Sequence, residues 1–287
     1  FGNQFSSGTK TADGIKSGIF LVRLDEKGNT DWVQTLQGSE NNTATRICAM
    51  GQSILTGGTS QGTIDSGKNS ITGNGQSLFV SSWSEKGQME WVSQMAYQGF
   101  ATFDVLEPTS QGNILIGGMF EGTIKTQGGE LLSETEKRAY LVALQANGTP
   151  QKCLMSTGKG SHRLVSATTS GDGSHWLLFS ITGDFGFGGI PAAETPRAME
   201  NGLALVKTNS AGDAQWIKYI TGEGYLEGIK ILAMPTGDVM ICADYSGRIS
   251  INNLIRGSNE RTEAALWLFS PDGDFKKACT LYSPISR

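Results

Sequence analysis

Two histidines, His162 and His175, are all the imidazole this chain of 287 residues carries. Its four cysteines, Cys48, Cys153, Cys242 and Cys279, stand far apart without a Cys-x-x-Cys pair. Zinc-ligand spacing and a redox dithiol are therefore missing, and neither a metal site nor a cofactor is expected. Each cysteine sits among apolar residues and reads as a buried free thiol acting as a small hydrophobe, with a disulfide between neighbouring strands as the alternative. Apolar runs such as Ile19–Val22 and Leu177–Phe179 fall far short of the ~20 residues of a membrane helix, so no membrane span is expected. Charge is sparse at 17% of residues, and the 23 Lys and Arg are scattered against 27 acids. A basic stripe that could replace counterions on a phosphate backbone is lacking, which argues against a nucleic-acid partner. No sustained 3.6-residue apolar period appears, so helices are not expected. The chain opens at Phe1 without Met or signal peptide and reads as a mature or trimmed segment.

What is abundant is glycine, 39 residues against 7 prolines, and it falls in a pattern. The stretch Phe20 to Val33 recurs at Phe79 to Val92, Tyr140 to Cys153 and Ala204 to Ile217, and more loosely at Ala265 to Ala278. Its anchoring glycines are Gly28, Gly87, Gly148, Gly212 and Gly273, giving intervals of 59, 61, 64 and 61 residues. A fixed period of this kind marks one structural unit used several times. Between these copies lies a second motif, Ile54-Leu55-Thr56-Gly57-Gly58 with Gly62-Thr63-Ile64, repeated as Ile114 to Gly118 with Gly122-Thr123-Ile124. Weaker copies end in Gly183-Asp184-Phe185 and Gly247-Arg248-Ile249, and Gly8-Thr9-Lys10 matches the end of a fifth.

Each unit reads as four strands, in the second unit near Thr43–Met50, Ser53–Thr59, Leu78–Ser84 and Met89–Met95. The last two are joined by turns such as Asp25-Glu26-Lys27-Gly28, whose glycine supplies φ > 0. Sheets with two apolar faces must stack on neighbours, and radial stacking protects both faces. The expected fold is all-β, a single β-propeller domain over 1–287 with about five four-stranded blades. A sandwich lacks matched hairpins every ~60 residues, and solenoid coils are shorter. The N-terminal Phe1–Lys10 would supply a second strand to the first blade and the tail Tyr282–Arg287 its innermost strand, closing the ring.

The hairpin signature, Phe20 to Trp32, Phe79 to Trp91 and Ala204 to Trp216, resembles the β-propeller repeats of secreted bacterial proteins and is similar to quinoprotein-like repeats, with a Trp after a Gly turn. Lys152 and Lys277 stand where the third and fifth copies would carry Trp. The resemblance implies a fold and a secreted, periplasmic or outer-membrane-associated location, but no single activity. Quinone-dependent members carry a vicinal Cys-Cys pair and a larger ring, and this chain has neither. Trp32, Trp91 and Trp216 are expected to dock on the neighbouring unit rather than to stack a ligand.

Candidate chemistry falls on the innermost strands. Asp104, Glu107 and Glu227 are the funnel carboxylates that a glycoside hydrolase would use as acid and base. The places corresponding to Asp104 in other units are read as Arg46, Arg163 and Lys230, so a mixed-charge binding surface of Arg46, Asp104, His162, Arg163 and Lys230 is expected, with His162 at a funnel mouth. His175 reads as core. The stretch Gly183 to Gly189 lacks the Lys-Ser/Thr of a phosphate loop and reads as an interblade loop. The irregular connections near Gly183–Asn201 and Ser250–Glu263, with Arg197, Arg256 and Arg261, are expected to carry the distinctive surface. The functional expectation is a non-catalytic binding or interaction scaffold for a protein or glycan, with a glycan-active enzyme as the alternative.

Overall fold

A computed structural model describes residues 17–38, 40–65, 70–71, 75–126, 129–193, 201–251, 254–257 and 262–281. The chain divides into two compact bodies, Phe1–Tyr97 and Gln98–Arg287. Among the described residues it is strand and turn, without helix. No helix is long and apolar enough to cross a membrane.

The N-terminal body begins with the hairpin Ser17–Leu24 and Thr30–Gly38, repeat 1. Repeat 2 follows as a meander of Asn42–Met50, Ser53–Gln61, Gln76–Ser84 and Met89–Ala101, each antiparallel to the next. The C-terminal body holds three more meanders. Repeat 3 is Val105–Pro108, Ile114–Thr126, Gly129–Leu144 and Pro150–Met155. Repeat 4 is His162–Thr169, His175–Ile181, Gly202–Thr208 and Ala214–Gly222. Repeat 5 is Leu226–Ala233, Val239–Tyr245, Glu263–Phe269 and Phe275–Leu281. Among the described residues, repeats 2 to 5 each contain four successive antiparallel strands, and repeat 1 contains two. The strands placed on Phe1–Lys10 and Tyr282–Arg287 lie outside the described residues.

The third and fourth strands turn at Gly28, Gly87, Gly148, Gly212 and Gly273, with φ between 72° and 84°. A side chain at such a φ clashes with its own backbone, so glycine is required there. In the first turn Gly28 N–H donates to Asp25 O at 3.0 Å, and the Asp25 carboxylate accepts from the N–H groups of Lys27 and Asn29. A bond from the Asn29 side-chain amide, first in effect, and these backbone bonds hold the Asp25 carboxyl below its usual pKa.

Strand periodicity then places two apolar faces on every sheet. In repeat 4, Trp176, Leu178, Leu203 and Leu205 join the core shared with Val239, Ile241, Ala265 and Trp267 of repeat 5. Their sequence neighbours Leu177, Phe179, Ala204 and Val206 point the other way, into the core shared with Leu115 and Leu141 of repeat 3. In the N-terminal body Ile19, Leu21 and Leu36 meet Phe79 and Trp83 in the same manner. Each fully buried Leu, Ile, Val or Phe among them contributes about 1.5–3 kcal/mol.

A second contact links successive repeats. After its second strand each of three repeats sends a short hairpin across to the outer strand of the repeat before it. Ile64–Asp65 pairs with Gln37–Gly38, Gly186 bridges Thr157, and Ile249–Ile251 pairs with Ile220–Gly222. The Gly-x-apolar motif of the sequence is the crossing point, and its apolar residue, Ile64, Phe185 or Ile249, is buried.

The connection 183–201 was expected to be a surface loop, and the structure corrects this over its first part. Phe185–Phe187 and Ile190–Ala193 form a hairpin, and both phenylalanines are buried against Phe179 at 5.0 and 4.9 Å. Likewise Arg248–Ile251 and Leu254–Gly257, which holds Arg256, form a hairpin. Arg197 and Arg261 lie outside the described residues. Cys279 is exposed and Cys48, Cys153 and Cys242 are half-buried, which corrects the expectation of buried thiols.

Candidate functional site

The innermost strands of repeats 2, 4 and 5 share one irregularity. Their pairing slips by a residue between Ala44 and Arg46, Leu164 and Ser166, and Gly228 and Lys230. The skipped residues Thr45, Val165 and Ile229 are β-bulges. In repeat 3 the matching residue is Asp104, whose N–H donates to Gly117 O at 2.8 Å. The register therefore sets Asp104 level with Thr45, Val165 and Ile229. This corrects the expected correspondence with Arg46, Arg163 and Lys230: Arg163 is level with Thr102 and Glu227, and Arg46 with Lys230.

Although not level in register, Asp104 and Arg163 meet. Arg163 donates from Nε to Oδ2 at 2.9 Å and from Nη2 to Oδ1 at 2.7 Å. The Thr102 hydroxyl gives the carboxylate a third hydrogen bond. Such a fork-to-fork pair fixes both planes and strengthens each bond through charge. Asp104 is only 8% exposed, and the hydrogen bonds that Arg163 donates to it hold the guanidinium above its ordinary pKa, with Glu227 adding to it. Glu227 itself is exposed and accepts the Tyr225 hydroxyl, whose pKa it raises. A charge row thus runs from Asp104 through Arg163 towards Glu227 across three inner strands.

A second row lies one turn of the pleat away. Glu107 is half-buried, and burial pushes its carboxyl above the usual carboxylate range, partly opposed by Lys230, the Thr169 N–H and the Thr168 hydroxyl. Lys230 is exposed. Arg46, in the N-terminal body, is exposed on its inner strand and donates to Thr45 O at 2.8 Å. The inner strands therefore do carry the expected residues, but the structure spends Asp104 and Arg163 on one another.

His162 lies elsewhere from its expected place at a funnel mouth. It is wholly buried, edge-on to Phe185 at 5.1 Å between ring centres. Its Nδ1 is 2.9 Å from Ser156 Oγ and 3.3 Å from Arg138 Nη1. Ser156 Oγ already accepts from Ala139 N–H, so its hydrogen is free for Nδ1. Two donors facing Nδ1 disfavour the imidazolium. Burial first and Arg138 second hold the His162 pKa down to about 4. Arg138 pairs in turn with Glu136, whose other oxygen accepts Gly160 N–H. This network joins repeats 3 and 4, and no sequence motif announces it, because its members come from different repeats. His175 is buried, as expected of a core residue.

Trp32 and Trp216 dock on the turn of the following repeat. Trp32 Nε1 donates to Glu85 O at 2.9 Å, and a Cβ placed on Gly87 would come within 2.7 Å of its ring. Trp216 lies over Gly273 in the same way and meets Trp176 edge-on at 5.3 Å. Where repeat 3 has Lys152 instead, its Nζ reaches Ala211 O at 2.6 Å and Asp213 at 3.1 Å on the equivalent turn. Among the described residues no group of three His, Cys, Asp or Glu is placed to hold a metal ion.

No protein-family model matches the chain, and no curated protein matches it in sequence.

Proposed function

We propose that the repeats close into a β-propeller of about five blades and that the ring serves as a non-catalytic binding or interaction scaffold, secreted or in the bacterial envelope, for a protein or glycan. Closure is supported by the two faces that have no neighbour within their own body. Phe20 is 71% exposed, while the residues at its place in the other repeats, Phe79, Tyr140, Ala204 and Ala265, are fully buried. Met240, Leu266 and Leu268 on the outward face of repeat 5 are half-exposed, although Trp176 and Leu205, their counterparts in repeat 4, are buried. A ring gives each of these faces the partner that all the other repeats have.

The observation that carries the binding reading is the Asp104–Arg163 pair. It takes the most buried inner-strand acid out of reach of a substrate and leaves a fixed display of mixed charge, Arg163, Glu227 and Lys230, on a rigid scaffold. Glycans and polar protein loops are bound by such arrays of oriented donors and acceptors. The secreted or envelope location rests on the resemblance of the hairpin signature. The second reading, a glycan-active enzyme, draws on Glu107, whose raised pKa suits a general acid. Polysaccharides incubated with the protein should release no reducing ends, while array or calorimetric titration detects binding that Arg163→Ala and Lys230→Ala weaken. Turnover abolished by Glu107→Gln would overturn the scaffold reading.

A further inference from the structure

Three glycines of the C-terminal body mark one level at the entry to its inner strands. A Cβ on Gly99, Gly160 or Gly224 would come within 2.3, 2.0 or 2.4 Å of the carbonyl oxygen of Glu121, Thr182 or Ser246. Only glycine allows so close an approach of two backbones, and each fixes the height at which its inner strand begins. The residues that follow, Phe100, Ser161 and Tyr225, are therefore level. They stand two places before Thr102, Arg163 and Glu227, which the pairing register matches. The inner strand of repeat 4 lies between those of repeats 3 and 5, so the small Ser161 falls between two aromatic residues. Phe100 and Tyr225 are each 44% exposed, yet both are held. Lys137 Nζ lies over the Phe100 ring, 5.7 Å from its centre. Tyr225 N–H donates to Ser246 Oγ at 3.3 Å, its carbonyl accepts Ser246 N–H at 2.8 Å, and its hydroxyl donates to Glu227. Aromatic rings fixed with much of their surface in water suit a binding surface, because little rotamer freedom is then lost when a ligand docks.

The groups beside the rings are polar and without net positive charge. Arg163, its side chain 42% exposed, spends Nε and Nη2 on Asp104, so Nη1 keeps its hydrogens for a ligand. Glu227 is exposed and offers carboxylate oxygens. Asp104 and Glu227 outweigh Arg163, Asp244 adds a negative charge near Tyr225, and Lys230 is set against Glu107. A sulfate, phosphate or uronate therefore gains no net attraction here. A neutral pyranose, by contrast, joins an apolar C–H face to a fringe of hydroxyls, each donor and acceptor at once. Rings set about fixed donors and acceptors match both parts of it. Stacked sheets stand about 10 Å apart, so Phe100 and Tyr225 are separated by at most roughly 20 Å at the backbone, a span that a short oligosaccharide bridges. We infer that this level of the inner strands binds a neutral oligosaccharide, with Phe100 and Tyr225 stacking on two of its sugar rings and Ser161, Arg163 and Glu227 meeting hydroxyls between them. The inference rests on the scaffold reading and commits it to a glycan.

Titration calorimetry of the full chain tests it, with short neutral oligosaccharides of glucose, mannose, xylose or N-acetylglucosamine set against sulfated and uronate-bearing ones of the same length. At least one neutral series should bind, and Phe100→Ala and Tyr225→Ala should each weaken it about tenfold or more. Both variants should keep Tm within about 2 °C of wild type, since the two side chains are exposed. Phe100→Trp and Tyr225→Trp, which retain an aromatic face, should bind within about threefold of wild type. Neutral-glycan binding that neither alanine variant weakens, binding of the anionic series alone, or no glycan bound by wild type overturns the inference. All three results leave the scaffold reading standing, for another site or for a protein partner. Release of reducing ends from a glycan whose binding the alanine variants still weaken does the reverse: the scaffold reading falls and the two rings keep their role.

Discussion

The Trp32 ring rests on Gly87, the left-handed glycine of the next turn, and its indole N–H donates to Glu85 O two residues before it. The glycine is thus demanded twice, by φ +72° and by the indole. Gly28 has the same role in its turn, at φ +81°, but no atom within 4 Å of an added Cβ. The pair separates the two causes. Gly28→Ala should cost about 1 kcal/mol, the backbone penalty alone. Gly87→Ala should cost at least twice that, because the indole must also move. Urea denaturation of both variants checks the ratio; equal losses would mean that the indole contact carries no energy.

Repeat 3 makes the equivalent contact with charge rather than area. Lys152 reaches the Ala211 carbonyl and Asp213, both on an exposed turn. Ion pairs in such surroundings contribute little, so Lys152→Ala is expected to cost under about 1 kcal/mol. Trp216→Ala removes a half-buried indole packed on Gly273 and Trp176 and should cost about 2–3 kcal/mol. Equilibrium unfolding of the two variants side by side measures the difference.

Much of this was legible beforehand because glycine turns leave an unambiguous mark. The positive φ of Gly28, Gly87, Gly148, Gly212 and Gly273 is a demand that side chains seldom meet, so the period survives where the strands diverge. The inner-strand correspondence was not legible, since the inner strands carry no glycine turn or shared motif of their own and their level is set only by pairing with the second strand. Counting along the sequence therefore set Asp104 level with Arg46 instead of Thr45. Phe185-Gly186-Phe187 was hidden for another reason. Its glycines read as loop, while the buried faces they allow depend on the outer strand of the preceding repeat. His162 likewise gave no warning, as Ser156 and Arg138 reach it only through the fold.

The Asp104–Arg163 pair should be read through its asymmetry. Asp104 is almost fully buried and Arg163 is partly exposed. Losing the carboxylate leaves Arg163 able to turn to water, whereas losing the guanidinium strands a buried charge. Arg163→Ala should therefore destabilise more than Asp104→Ala, by about 1 kcal/mol or more. A double-mutant cycle gives the coupling; additive losses would show that the two side chains are neighbours without a working bond.

Acid should loosen the junction of repeats 3 and 4 through His162. Its pKa is held near 4 in the fold against 6.5 for the free side chain. The unfolded chain therefore binds the extra proton between these values, so stability rises with pH across that window. The contribution is complete above about pH 6.5 and shrinks as pH falls towards 4. Integrated over the window it is about 3 kcal/mol. His162→Gln should be less stable than wild type at pH 7, yet lose stability less steeply between pH 6.5 and 4. Parallel slopes for the two proteins in urea titrations would place the acid sensitivity elsewhere.

The proposed ring closure makes the last demand, and it falls on two residues far apart in sequence. If Phe20 and Leu266 each cover an apolar face in the closed ring, then Phe20→Asp and Leu266→Asp each desolvate a carboxylate and open the same seam. Each should cost about 2–4 kcal/mol. Once the first charge has opened the seam the second has less to break, so the double variant should lose less than the sum. Were the faces simply solvated, as the 71% exposure of Phe20 suggests on its own, aspartate there would shift stability by less than about 0.5 kcal/mol. The size of the single losses and their coupling thus decide between a ring and an open row of sheets.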